Sequence, residues 1–452
     1  MIGFADYYGK TLLHPAGLIS VLFLGMGVVL LPRRYAIHPM ILVACFIPVS
    51  QRLIISGLDL DLLRILILFA WVRLLVRKEY EAFSWNRLDS LTVAWMLSST
   101  IIYTLCYGTA SAFINRLGAM SDILGMYLFF RCVLRDWQDF ERVALGLTII
   151  SIPVAAAFLF EFQTARNIFA VFGGVPEITT IRQGRLRCQG AFVNPILAGC
   201  FWASVTPWMA GYSVRTRNAF GWIGIAASLF IVMACASSTP VMSLVWVLVG
   251  FALYPLRKNL RGIRWVFFAA LVILHFIMRA PVWHLIARIN VVGGSSGWHR
   301  YKVMDAAIRN FSQWWLLGES DVMGWGIWEM RDVTNQYVLE GLRGGLLTLL
   351  LFIAVLVVAF GFVGRALRTT EGRYFEQILI YCIGVSLFVH TWTFFGLAYF
   401  GQLNLLLSLN LAMVGCLPRM LGTAWQEKEA ALRIGESDVE VSLASLHDDS
   451  PE

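Results

Sequence analysis

The chain has 452 residues, 58% of them hydrophobic and 14% charged. A water-soluble domain carries roughly 25% charged residues, so this composition excludes an ordinary soluble enzyme and leaves no room for a separate soluble domain. The net charge is +8, yet from Arg419 onward eight acidic residues face three basic ones, so the body of the chain is more basic than the total implies. A basic, apolar body predicts anchoring at a membrane and an anionic substrate; no nucleic-acid partner is expected.

Apolar runs long enough for about 30 Å of hydrocarbon fall near 15–31, 36–51, 60–76, 90–107, 117–134, 143–162, 195–212, 219–236, 240–256, 264–282, 345–363, 377–397 and 402–418. The second is short and could be re-entrant. The first lacks a small-residue cleavage site and opens a series of similar runs, so it reads as a span rather than a signal peptide. Only helices satisfy their own backbone in lipid here, which predicts an all-α, polytopic bundle of 12 or 13 spans over residues 1–418. Arg33/Arg34, Arg73/Arg77/Lys78, Arg131/Arg135, Arg215/Arg217, Arg257/Lys258/Arg261/Arg264 and Arg365/Arg368/Arg373 recur at alternate ends of successive runs. The positive-inside bias puts them in the cytoplasm of a bacterial inner membrane. The acidic segment 419–452 then lies there too, and its composition reads as disordered.

Two longer loops, 163–194 and 283–344, are expected on the outer side. The first carries Arg166, Arg182, Arg185 and Arg187 against one acid, Glu177. External arginines oppose the insertion bias, and planar guanidinium forks suit phosphate or diphosphate. In the second, Ser295 or Ser296 could cap a helix through about 310, with Trp298, Lys302, Asp305 and Arg309 at helical spacing. Trp314, Trp315, Trp325 and Trp328 follow, reading as an interface belt or a sugar-stacking surface. Asp61 and Arg64 stand at i,i+3 and could pair, while Asp122, Glu161 and His390 are polar residues in apolar runs. The eight cysteines are scattered singly, and no C-x-x-C occurs; they read as small buried hydrophobes.

Two stretches together resemble the O-antigen ligase and O-antigen polymerase superfamily. GRLRCQGAFVNPILAG, 184–199, is similar to that superfamily's signature before a membrane helix, through Arg187, Gly190, Phe192, Asn194, Pro195 and Gly199. The segment 297–347 is similar to its large periplasmic loop, through Arg300, Leu317–Gly318, Gly324–Gly326, Asn335, Tyr337, Val338 and Gly344/Gly345. The resemblance implies a membrane glycan transferase without metal or cofactor. Its partners would be a saccharide on an undecaprenyl-diphosphate carrier, a glycan acceptor, the lipid bilayer and other polysaccharide-assembly proteins. One position departs from the pattern: many ligases carry His before the Asn, where this chain has Thr334, which cannot act as a base near neutral pH. That tilts the resemblance from ligase toward polymerase.

The residues themselves carry a parallel argument. A departing diphosphate needs its charge stabilised, and the outer loops hold no D-x-D for a metal. Arg187 and Arg300, with Arg182 and Arg185, are therefore the expected anion ligands. Asn335 and Tyr337 complete the catalytic set by resemblance. Glu161, His299, Asp332 or Glu340 would supply any base, and Asn194, Lys302 and Arg309 are further substrate contacts. Rival expectations are a glycolipid transporter or flippase and a non-catalytic envelope-assembly protein.

Overall fold

In a computed structural model the structure describes residues 11–55, 58–288, 297–422 and 425–426. They form an all-α bundle with two small hairpins. The helices are α1 (Pro15–Leu30), α2 (His38–Phe46), α3 (Leu62–Val76), α4 (Arg87–Tyr107), α5 (Ala110–Val133), α6 (Trp137–Thr164), α7 (Pro195–Thr216), α8 (Phe220–Ala234), α9 (Ser238–Ala252), α10 (Leu260–Ile277), α11 (Gly297–Arg309), α12 (Phe311–Trp314), α13 (Gln336–Thr369), α14 (Tyr374–Thr393) and α15 (Gln402–Leu421). The antiparallel hairpins pair β1 (Arg52–Ile55) with β2 (Leu58–Asp61) and β3 (Ile181–Arg182) with β4 (Arg185–Leu186).

Five helices, α4, α6, α13, α14 and α15, are long and apolar enough to cross a bilayer on their own, or six if a bent pair at 262–288 counts as one span. This is a membrane protein. The twelve or thirteen runs expected from sequence do become helices, but several miss that standard. Helices α1, α8 and α9 are apolar but short, 16, 15 and 15 residues. Run 36–51 yields only the nine residues of α2 before the chain turns extended. At about 1.5 Å per residue nine residues are too short to cross the hydrocarbon.

Helices α7 and α15 form the centre: nearly every residue from Pro195 to Ser213 and from Gln402 to Leu417 is buried. Helix α7 packs on α8, α9 and α14, α13 lies along α4, and α15 lies along α5. Helix α10 stands outside, with no buried residue among those described.

The two ends of the bundle differ. At the basic end many arginines are internalised. Arg73 pairs with Glu79 at 2.7 Å and Arg131 with Asp89 at 2.9 Å, all nearly or fully shielded from solvent. Tyr127 Oη also donates to Asp89, at 2.6 Å. At the other end, called the loop end below, the chain between α6 and α7 meets the chain after α2: Ser50 Oγ donates to the Gly174 carbonyl and Gln51 Nε2 to that of Phe172, both at 2.6 Å. The expected pair of Asp61 and Arg64 is at its limit, 4.0 Å. Arg64 instead forks onto Asp122 across to α5, with Nε and Nη2 both at 2.7 Å, and Asp61 caps α3. Seven of the eight cysteines are buried and all are unbridged.

One boundary moves. The solvated tail was expected from 419, but α15 continues to Leu421, and Trp425 returns to pack on Phe362 of α13 at 5.3 Å. Apolar contact there outweighs the charge of Arg419, which donates to the carbonyls of Ala82 and Leu134. Residues 427–452 lie outside the described residues, as does the expected cap at Ser295 or Ser296.

Candidate functional site: an anion cradle at the loop end

The site is built on one carboxylate. Glu161, in the last turn of α6, is buried, and its oxygens accept from Thr179 Oγ1 (3.0 Å), Gln189 N–H (3.1 Å) and Gly190 N–H (2.9 Å). Asn167 Nδ2 donates to the Gly190 carbonyl at 2.8 Å. Gly190 has φ +58°, and a Cβ there would lie 2.5 Å from the Phe158 ring. A glycine is thus needed for both conformation and space. With three donors of the loop on its carboxylate, Glu161 serves as a tether in this structure, in place of the catalytic role expected for it.

That tether sets Arg187. Its N–H donates to the Thr180 carbonyl (3.0 Å), and the next residue, Cys188, donates to the carbonyl of Ala234 at the end of α8 (3.0 Å). The Arg187 side chain is half-buried, and its shielded Nε has no hydrogen-bond partner. Burial, and then the charge of Arg182, pull the guanidinium below its ordinary value. Arginine remains a cation regardless, so this is a half-buried charge with one N–H unsatisfied.

The turn that Arg187 meets, Cys235–Ser237, joins α8 to α9. Ser237 is the N-cap of α9 but makes no side-chain capping bond. Gly199 of α7 lets this turn close: a Cβ there would meet Pro240 at 2.5 Å and Cys235 Sγ at 3.3 Å. Arg300 approaches the same turn from α11. It is 6% exposed, donating from Nη2 to Thr239 Oγ1 at 2.5 Å and from Nε to the Gly396 carbonyl at 3.3 Å. Burial lowers its guanidinium from the ordinary value too. Arg300 is therefore anchored on the first turn of α9, while the loop carrying Arg187 is tied through Cys188 to the end of α8, so both loops meet one turn near the positive end of a helix dipole, an arrangement that favours an anion. The serine-threonine start at 237–239 escaped the sequence reading; Ser-Ser-Thr-Pro before an apolar run was a legible helix-start signal.

Several expected contacts prove structural. Asn194 Oδ1 accepts from Leu197 N–H (2.9 Å) and Asn335 Oδ1 from Val338 N–H (3.1 Å), so each caps its helix, α7 and α13. Tyr337 Oη donates to the Thr391 carbonyl at 3.0 Å, its ring among Phe352, Phe394 and Phe395. Gln336 N–H holds the Phe394 carbonyl at 2.9 Å. Asn335 and Tyr337 thus fix the 394–396 turn whose carbonyl receives Arg300; they are positioning residues. Lys302 is paired with Glu329 (2.7 Å) and Arg309 with Asp305 (2.7 Å), so each has an acidic partner within the loop. His299 Nε2 meets the Asp332 carbonyl at 2.9 Å, which ties α11 to the following loop without the Asp332 carboxylate. Glu340 is buried and takes hydrogen bonds from Trp95 Nε1 (2.9 Å) and Gln336 Nε2 (2.6 Å). Arg182 and Arg185 face each other across the β3–β4 hairpin, both exposed. Arg166 reaches only Glu177, at 3.7 Å, both exposed. Thr334 Oγ1 is shielded and makes no hydrogen bond. Trp314, expected at an interface, is a core residue of the loop: it packs with Val303, Ala306, Met330 and Leu342 and donates to the Ala307 carbonyl.

Among the described residues no three His, Cys, Asp or Glu side chains gather as a metal-ligand set. No family model and no curated protein matches the chain.

Proposed function

We propose that the chain is a membrane-embedded glycan transferase of the bacterial inner membrane. It would take a saccharide from an undecaprenyl-diphosphate carrier and pass it to a sugar hydroxyl on the periplasmic face, as in polysaccharide polymerisation. The observation that carries this reading is that the loop of Arg187, tied to the end of α8 through Cys188 N–H, and Arg300, donating to Thr239 Oγ1, come to the same α8–α9 turn. In the transfer, the bond from the anomeric carbon to the diphosphate oxygen breaks, and the oxygen leaves with the electron pair. The acceptor oxygen bonds to that carbon and gives up its proton. The arginines' role is to hold the diphosphate as its charge grows, a term worth about 3–4 kcal/mol per donor. Among the described residues no carboxylate or histidine touches the α8–α9 turn, so in this reading the departing diphosphate accepts the proton. The motif resemblance in 184–199 and 297–347 supports the same reading.

The test is purified protein with a carrier-linked oligosaccharide. Arg187→Ala and Arg300→Ala should lower the transfer rate by roughly 30- to 1,000-fold. Lysine at either position should leave partial activity, because charge is kept while the fork is lost. Well-folded alanine variants that transfer normally would sink the reading.

A further inference from the structure

The basic end of the bundle carries an open recess of about 850 Å³, lined by Arg33 after α1, by Arg77, Lys78, Glu79, Glu81 and Ala82 after α3, and by Arg135 after α5. Its four cations are unequally matched. Arg33 is paired with Asp136 and Asp139. Glu79 is already held by Arg73 at 2.7 Å, both shielded from solvent. Arg77 is exposed, and its side chain donates only from Nη2 to the Leu30 carbonyl, at 2.9 Å. Arg135 is half-buried and donates to the carbonyls of Cys132 (3.2 Å) and Glu79 (3.3 Å). Lys78 is exposed and makes no hydrogen bond or ion pair among the described residues. Carbonyls occupy N–H donors but leave the unit charges in place. Arg77, Lys78 and Arg135 therefore stand against one exposed acid, Glu81. Lys78 also follows α3 in left-handed backbone, φ 51° and ψ 32°. Glycine is the usual residue at such a position, so a charged side chain is held here against the local preference.

The flank of the recess decides what kind of anion suits it. Helices α1 and α3 pack on each other. Phe23, Met26 and Leu30 on α1 and Val72, Leu75 and Val76 on α3 are exposed apolar residues. An exposed apolar face that runs the length of two paired helices marks a contact with lipid in a membrane protein. Its last residues, Leu30 and Val76, immediately precede the cationic turns. A phosphodiester whose acyl chains lie along α1 and α3 would meet Arg77, Lys78 and Arg135 at the helix ends. Free phosphate would use the cations and leave the apolar track unused.

We infer that this recess binds the phosphodiester headgroup of an anionic phospholipid, with the acyl chains along α1 and α3. Arg77 keeps most of its guanidinium donors for phosphate oxygens, and Lys78 adds a point charge. The occupant is a lipid of the bilayer rather than a substrate. The site lies at the opposite end of the bundle from Arg187 and Arg300, and it stands or falls independently of the glycan-transfer reading.

The experiment is native mass spectrometry of the full-length chain released from nanodiscs of equal phosphatidylglycerol and phosphatidylethanolamine. One tightly held phosphatidylglycerol per chain is expected. Replacing both exposed cations, Arg77→Gln with Lys78→Gln, should weaken its retention roughly 10- to 100-fold. Lys258→Gln, an exposed cation outside the recess, should leave retention unchanged. Equal retention of phosphatidylethanolamine, unchanged retention by the folded double variant, or complete displacement of the lipid by millimolar inorganic phosphate would each overturn the proposal. So would a full-length chain that holds no lipid beside a variant ending at Gln426 that does, because the acidic segment 427–452 would then be the occupant.

Discussion

At the residue scale, Glu161 shows how a buried acid in a membrane helix can be mistaken for a catalytic one. Its position in an apolar run flags function, yet its three hydrogen bonds all go to the loop that carries Arg187. Glu161→Gln sets an amide N–H against a backbone N–H, so the loop should loosen. Proteolysis within 167–192 should accelerate, and activity should fall along with it. A variant whose loop stays protected while turnover alone disappears would restore Glu161 to the chemistry. Gly190→Ala tests the same tether from the other partner. Left-handed backbone and the Phe158 ring both oppose the methyl group, and thermal unfolding should register a loss of about 1–3 kcal/mol.

At the element scale, α13 has the most informative irregularity. Gly344 and Gly345 leave helical geometry and divide it. Gly345 has φ +64°, and a Cβ there would fall 2.4 Å from the Leu316 carbonyl oxygen. The break gives the loop 315–319 its backbone partners, Trp315 O with Leu346 N–H and Glu319 N–H with Leu342 O. Gly345→Ala should destabilise the protein by about 1–3 kcal/mol and raise hydrogen exchange in 315–319; an unchanged exchange rate there would contradict the role given to the break. Much at this scale was legible beforehand. Apolar runs mark helices because lipid and core both demand them, and the run at 402–418 differs from α15 by only three residues at its end. What was not legible depended on partners distant in sequence. Nothing local tells that Asn335 will cap a helix rather than touch a sugar, that Lys302 will be claimed by Glu329, or that Arg64 will prefer Asp122 to Asp61. Arg187 and Arg300 stood out because guanidinium on an expected outer loop is unusual, but the turn at which their loops are anchored could be seen only once α8 and α9 were placed.

On the scale of the whole molecule, both ends hold shielded arginines. The basic end buries arginines with exact counterparts such as Asp89. Asp89→Ala would strand Arg131 and should cost about 3–5 kcal/mol, read as loss of folded protein in detergent; a fully stable variant would show that the pair is dispensable. At the loop end Arg187 keeps an Nε without a hydrogen-bond partner. Donor binding there should therefore weaken as ionic strength rises and survive EDTA. Loss on chelation with rescue by Mg²⁺ would replace the arginine mechanism with a metal one.

The α8–α9 turn has one more consequence. Arg187 and Arg300 belong to loops more than a hundred residues apart in the chain, and both loops are anchored at 234–239, one through Cys188 N–H on the Ala234 carbonyl and the other through Arg300 on Thr239. An anion seated there acts as a reversible cross-link between them. Ligand should then slow hydrogen exchange in 180–190 and 297–309 together, and removing either arginine should abolish the protection in the loop that still has its own. The occupied site would report as one cooperative unit, although the empty protein holds the two loops by separate anchors.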